Sequence, residues 1–225
     1  MSQQVLESLF VLFRVLAIGV GVTITQALGG RQAEAARRTA LVGFGACTWA
    51  GAAAALWLLF FSAWTLRLLN APNEVQALAG AYLPLLALAA LLEAYNLVMA
   101  SILRAHLYAR DTLYVMLVMH ATHLVLAFPL LLGIGEWNGF GLAGYAMALT
   151  VSRALGVGLH LWLWRRRMNL VPLRRDWWYC PARALMPVLR IGIPGASLEM
   201  AYRIAFMMSL SAAAALGVAA LATQA

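Results

Sequence analysis

The sequence predicts an all-α protein: a polytopic transmembrane bundle of about six spanning helices. Three observations carry this. Hydrophobic residues make up 64% of the 225-residue chain and charged ones 11%. A soluble domain carries about a quarter charged residues, so this chain cannot cover a surface facing water. The apolar residues gather into six runs, each close to the ~20 residues that a helix needs to cross hydrocarbon. All sixteen basic residues are arginine, and most lie between the runs, where membrane topology signals sit. The pI near 10.3 is therefore no nucleic-acid signature.

The runs are 6–29, 40–63, 78–101, 113–134, 139–163 and 188–216. The first ends at "GGRQAEAARR", and the second at "NAPNEVQ". The third stops at "RAHLYARD", and the fourth at the glycine-rich turn "GIGEWNG". The fifth leads into a long basic link, "RRRMNLVPLRRDWWYCPAR", before the sixth begins. Glycine and alanine recur in every run, as close helix packing in lipid requires. Backbone polar groups in hydrocarbon must be satisfied within the segment, and the alternation of a barrel strand is missing, so each run is a helix.

Arginine placement predicts orientation. Connections after the first, third and fifth runs, with Arg190 at the start of the sixth, hold twelve arginines; those after the second and fourth hold only Arg67. The twelve-arginine side is expected to be cytoplasmic, in the plasma (inner) membrane. The N-terminus then lies outside, which points to a helix missing upstream. The start carries no basic n-region or cleavage site of a signal peptide. Trp177, Trp178 and Tyr179 sit beside the sixth run as an interfacial anchor would. Cys47 and Cys180 stand alone, without metal or redox spacing. Neither a phosphate-binding loop nor the HExxH or GxSxG patterns occur, so ATP-driven pumping and hydrolytic chemistry have no visible residues, and no enzyme is expected.

Ionisable residues inside spans are costly and mark functional sites by default. Glu199 and Arg203 are spaced i, i+4 on the sixth run, close enough to neutralise each other. Pro194 opens that helix and frees backbone carbonyls. Glu93 and Arg153 lie midway along the third and fifth runs, which run the same way. At about 1.5 Å per residue both fall roughly 20 Å below the outer surface, so a cross-helix ion pair is possible, as is a direct substrate role. His120 and His123 lie a turn apart on the fourth run, and His123 near the midplane could carry a proton. Asn96, Gln26 and Thr150 are further polar candidates on the lumen side.

Several stretches carry a resemblance. "ITQALGGRQAEAARR" resembles the end of the second helix, and the following loop, of the multidrug and toxic compound extrusion (MATE) transporters. "NAPNEVQALAGAYLPLLALAALLEAYNLVMASILRAHLYARDT" is similar to their fourth helix, "GFGLAGYAMALTVSRALG" to their sixth, and "LRIGIPGASLEMAYRIAF" to the start of their seventh. The resemblance implies half of a twelve-helix, two-bundle transporter. It divides the chain into an N-terminal bundle of five helices over 1–164, without the family's first helix. A basic cytoplasmic linker follows over 165–187, then the first helix of a second bundle over 188–225. It implies secondary efflux of cationic or amphipathic small molecules, drugs among them, by antiport against a proton or sodium ion. No cofactor beyond that ion and no metal is implied. Glu199 would serve the cation, with Arg203 gating or neutralising it.

The family's asparagine and, four residues on, aspartate of the fifth helix are His123 and Ala127 here, so the usual N-terminal cation site is not expected. A lipid-linked oligosaccharide flippase of the same superfamily is the alternative, kept open by Arg14, Arg153 and Arg203 inside spans. A non-transporting fragment or partner subunit is a third reading. The partners expected are the bilayer, the small-molecule substrate, and the missing half or a second copy, with no nucleic acid.

Overall fold

The computed structural model describes the backbone of residues 2–68, 73–133 and 137–215. Side chains are described for 11–61, 82–133, 137–198, 201, 202 and 205. Six helices follow in order: α1 Ser2–Gly29, α2 Ala33–Leu68, α3 Asn73–Ala105, α4 Ala109–Leu132, α5 Leu142–Met168 and α6 Ala182–Ala215. Among the described residues, five stretches are long and apolar enough to cross a membrane: Val11–Gly29, Ala33–Phe61, Tyr82–Ala105, Ala109–Leu132 and Leu142–Met168. The sixth expected span, 188–216, falls largely on residues whose side chains lie outside those described. The helices outrun the apolar runs, because helical geometry continues through arginine-bearing turns such as Glu34–Arg38 that hydropathy excludes.

The reversals after α1, α3 and α5 bring the arginine-rich connections to one end of the bundle. Arg31 and Leu107 take positive φ in two of these reversals, and Asn169 caps α5 in the left-handed conformation. α3 lies at the centre, packed on α1, α2 and α5. Its faces are mostly buried, with Ala94, Val98, Met99, Ile102 and Leu103 in the core beside Phe13, Val20, Phe44 and Trp164. α4 packs mainly on α5, burying only Thr112, Val115 and Met119; its remaining apolar surface faces outward, as a lipid-facing helix should. α6 returns to α1. Their backbones cross at Gly19 and Gly192, where a Cβ would collide with the carbonyls of Val188 and Val15, the close approach that small residues permit between helices in lipid.

The aromatic segment before α6 differs from its expected role as an interfacial anchor. Trp177 is half-buried, its ring 4.8 Å from Phe44 and 5.5 Å from Tyr95 between centroids. Thr48 Oγ1 donates to the Trp177 carbonyl and receives the Tyr95 hydroxyl at 2.6 Å. Trp49 Nε1 donates to the Trp178 carbonyl at 3.1 Å. Only Trp178 and Tyr179 remain exposed. The reason is the pattern Gly45, Thr48, Trp49 on one face of α2, which offers a bare backbone and two donors to the carbonyls of residues 176–179.

Candidate functional site

Polar side chains inside the bundle gather where α3, α4 and α5 meet. Glu93 of α3 and Arg153 of α5 form an ion pair, Arg153 Nε to Glu93 Oε2, at 3.0 Å. The side chains are 14% and 16% exposed respectively. The contact is one of charge rather than an aligned hydrogen bond, since Glu93 Oε2 meets no donor in hydrogen-bond geometry among the described residues. Arg153 Nη1 also reaches the Met119 sulfur of α4 at 3.1 Å. Arg14 of α1 lies close enough for its charge to act on Glu93. Two unpaired charges at this depth would be prohibitive, and pairing is the ordinary way to keep them there.

One turn along, Asn96 continues the seam. Its Nδ2 donates to the Arg153 carbonyl at 3.0 Å, which turns Oδ1 towards His160 Nδ1 at 3.2 Å. An amide oxygen can only accept, so His160 presents a proton on Nδ1 there and leaves Nε2 for another partner. That nitrogen is buried without a partner among the described residues, as is Trp164 Nε1 one turn further. Gly156 makes the seam possible: a Cβ there would sit 2.7 Å from Asn96 Oδ1 and 2.8 Å from Met119 Sδ.

The other sequence candidates fall elsewhere. Thr150, expected to face the lumen, is occupied in helix packing: its hydroxyl contacts the Leu85 carbonyl of α3 at 3.0 Å and Ala146 O at 2.8 Å. Gln26 is exposed near the end of α1, lining a groove of about 430 Å³ with Ser101 and Arg104. His123 is half-buried, its ring edge-on to Tyr145 at 5.1 Å, with Nδ1 unpartnered among the described residues. The Arg153 charge reaches both His120 and His123. Glu199 and Arg203 lie on α6, with side chains outside those described. Among the described residues no three His, Cys, Asp or Glu side chains gather as metal ligands would. His160 escaped the sequence reading; its spacing from Arg153, two turns along one face, was the available signal.

Comparison with known proteins bears on this fold. The sequence profile of the MatE family matches residues 1–128. The uncharacterized transporter YisQ of Bacillus subtilis (strain 168) is 26% identical over 223 residues, which is 99% of this chain and 49% of that protein. A solved structure of MATE in the bent conformation superposes with a TM-score of 0.84 at 22% identity, over 97% of this chain and 48% of that one. A transporter of the MOP superfamily from Pyrococcus furiosus superposes at 0.79 with 24% identity, over 95% of this chain and 47% of that one. At such identities the likeness is one of fold. The chain spans about half the length of the relatives it matches.

Proposed function

We propose, from the premise that this chain belongs to the MatE family and is an integral membrane protein, that it forms half of a secondary transporter. The transporter exports organic cations, drugs among them, while a proton or sodium ion enters. The chain is not an enzyme. The observation that carries the reading is the polar seam of Glu93, Arg153, Asn96 and His160 between membrane-spanning helices. Intramembrane ionisable groups that pair with one another mark ion and substrate pathways. In such a machine the pair exchanges partners: a cation displaces Arg153 from Glu93, and a proton on Glu93 or His123 releases the cation. Glu199 is the further cation ligand, with Arg203 one turn away. The arginine-rich end faces the cytoplasm by the charge bias of its connections, in the inner membrane.

A lipid-linked oligosaccharide flippase is the second reading, favoured by Arg14 and Arg153 inside spans. The neutralisation of Arg153 by Glu93 counts against it, because an anionic lipid substrate needs a cavity with free positive charge. Energised efflux of a cationic dye such as ethidium separates the two. In the complete transporter Glu199→Gln is expected to abolish ion-coupled efflux, and Glu93→Gln to abolish it per molecule of protein, since loss of that carboxylate also leaves Arg153 buried without its partner and lowers the protein level. Parental efflux from both variants would remove these carboxylates from the mechanism, and flipping of a lipid-linked sugar without dye efflux would select the second reading.

A further inference from the structure

The arginine-rich end of the bundle contains a cavity that the polar seam does not reach. The α1–α2 reversal, the α3–α4 reversal and the end of α5 enclose about 380 Å³ there, lined by Arg37, His106, Tyr108 and Arg167. Arg167 is held in place. Its Nε and Nη2 donate to the two Asp111 oxygens at 2.7 and 3.1 Å, and its guanidinium lies 5.5 Å from the Tyr108 ring centroid. Nη1 stays available. Arg37 is exposed and has no carboxylate within ion-pair distance among the described residues. His106 Nδ1 is bonded to the Ile102 carbonyl at 2.9 Å, leaving Nε2 for another partner. Glu34 is the only other charged residue in the lining. Around these three connections eight arginines face just two carboxylates, Glu34 and Asp111.

A second observation fixes the depth. The loop tips beside the cavity present bare apolar side chains: Leu107 is 91% exposed and Leu173 70%. Leu107 directly precedes Tyr108 of the lining, and Leu173 follows Leu170, also of the lining. Such residues belong among lipid headgroups, where apolar bodies bury and polar neighbours stay wet. The cavity therefore opens at the level of the phosphate layer, and basic pockets between helices on that side are suited to anionic headgroups.

We propose that this cavity binds the headgroup phosphate of an anionic phospholipid from the arginine-side leaflet. Arg37 and the free edge of Arg167 take the phosphate oxygens, with His106 and Tyr108 flanking it. The proposal is independent of what the protein transports. The test places the full chain in phosphatidylcholine vesicles with and without phosphatidylglycerol. It then counts lipids retained after extraction by native mass spectrometry and follows the thermal midpoint. Phosphatidylglycerol is expected to be retained selectively and to raise the midpoint. Arg37→Gln should cut retention about fivefold, the worth of one arginine near an anionic surface, and His106→Gln should reduce it as well. Arg174→Gln, the same charge loss on the linker outside this lining, should retain the lipid. Equal loss in Arg174→Gln would mean diffuse attraction and overturn the site. Undiminished retention in both Arg37→Gln and His106→Gln would overturn it too. So would an equal midpoint rise from inorganic phosphate in phosphatidylcholine alone, which would reassign the cavity to a soluble anion.

Discussion

Replacing Gly156 with alanine probes the α3–α5 seam at its tightest point. The added Cβ would lie 2.7 Å from Asn96 Oδ1 and 2.8 Å from Met119 Sδ, and neither separation is open to carbon. The Met119 thioether is flexible and yields cheaply. The Asn96 amide is held at both ends, by the Arg153 carbonyl and by His160, and moves only by giving up one of those bonds. Overpacking costs about 1–3 kcal/mol, and a lost hydrogen bond about 1 kcal/mol. Against these stands the helical preference for alanine over glycine, up to about 1 kcal/mol. The balance is a destabilisation of about 1–3 kcal/mol. Gly158, two residues on and exposed, has no atom within 4 Å of its would-be Cβ. Gly158→Ala keeps only the favourable part, so it should be neutral or stabilising by up to about 1 kcal/mol. Unfolding by sodium dodecyl sulfate from mixed micelles, followed by tryptophan fluorescence, reads both. Parental stability in Gly156→Ala would refute the packing that joins Asn96 to His160.

Two further outcomes follow from named contacts. Arg153→Gln leaves the Glu93 carboxylate buried and should cost about 3–5 kcal/mol, much of it recovered when Glu93→Gln is added; additive losses in that double-mutant cycle would mean the pair is not coupled. Gly45→Ala drives a methyl into the Tyr179 carbonyl and should lift the 176–179 segment off α2, exposing Cys180. Burial pushes the Cys180 thiol above the ordinary cysteine range, and the thiolate is the reactive form. Maleimide labelling of the parent should therefore be slow near neutral pH and keep climbing past pH ~8.5, the free-thiol value. In Gly45→Ala the pKa falls back, and labelling near neutral pH should quicken several-fold; an unchanged rate would show that the segment does not depend on that contact.

The sequence by itself determined what depends on composition and on distance along a helix. Apolar runs of spanning length separated by arginine clusters require helices in lipid, and alternate connections must then meet at one end. The 1.5 Å rise was enough to set Glu93 and Arg153 at equal depth, so their pairing was legible as a possibility. The rotation of each helix about its axis was not legible. Low amphipathic contrast hides it, because a spanning helix is apolar on its lipid face and its packed face alike. Only the tertiary structure decided that Thr150 turns to Leu85, that Gln26 looks out of the bundle, and that His160 meets Asn96 from 64 residues away. It likewise decided that Trp177 inserts beside Tyr95 instead of resting at the interface. That choice belongs to α2, where Gly45 and Thr48 share a face with room for a passing backbone, a property that no reading of the linker alone contains.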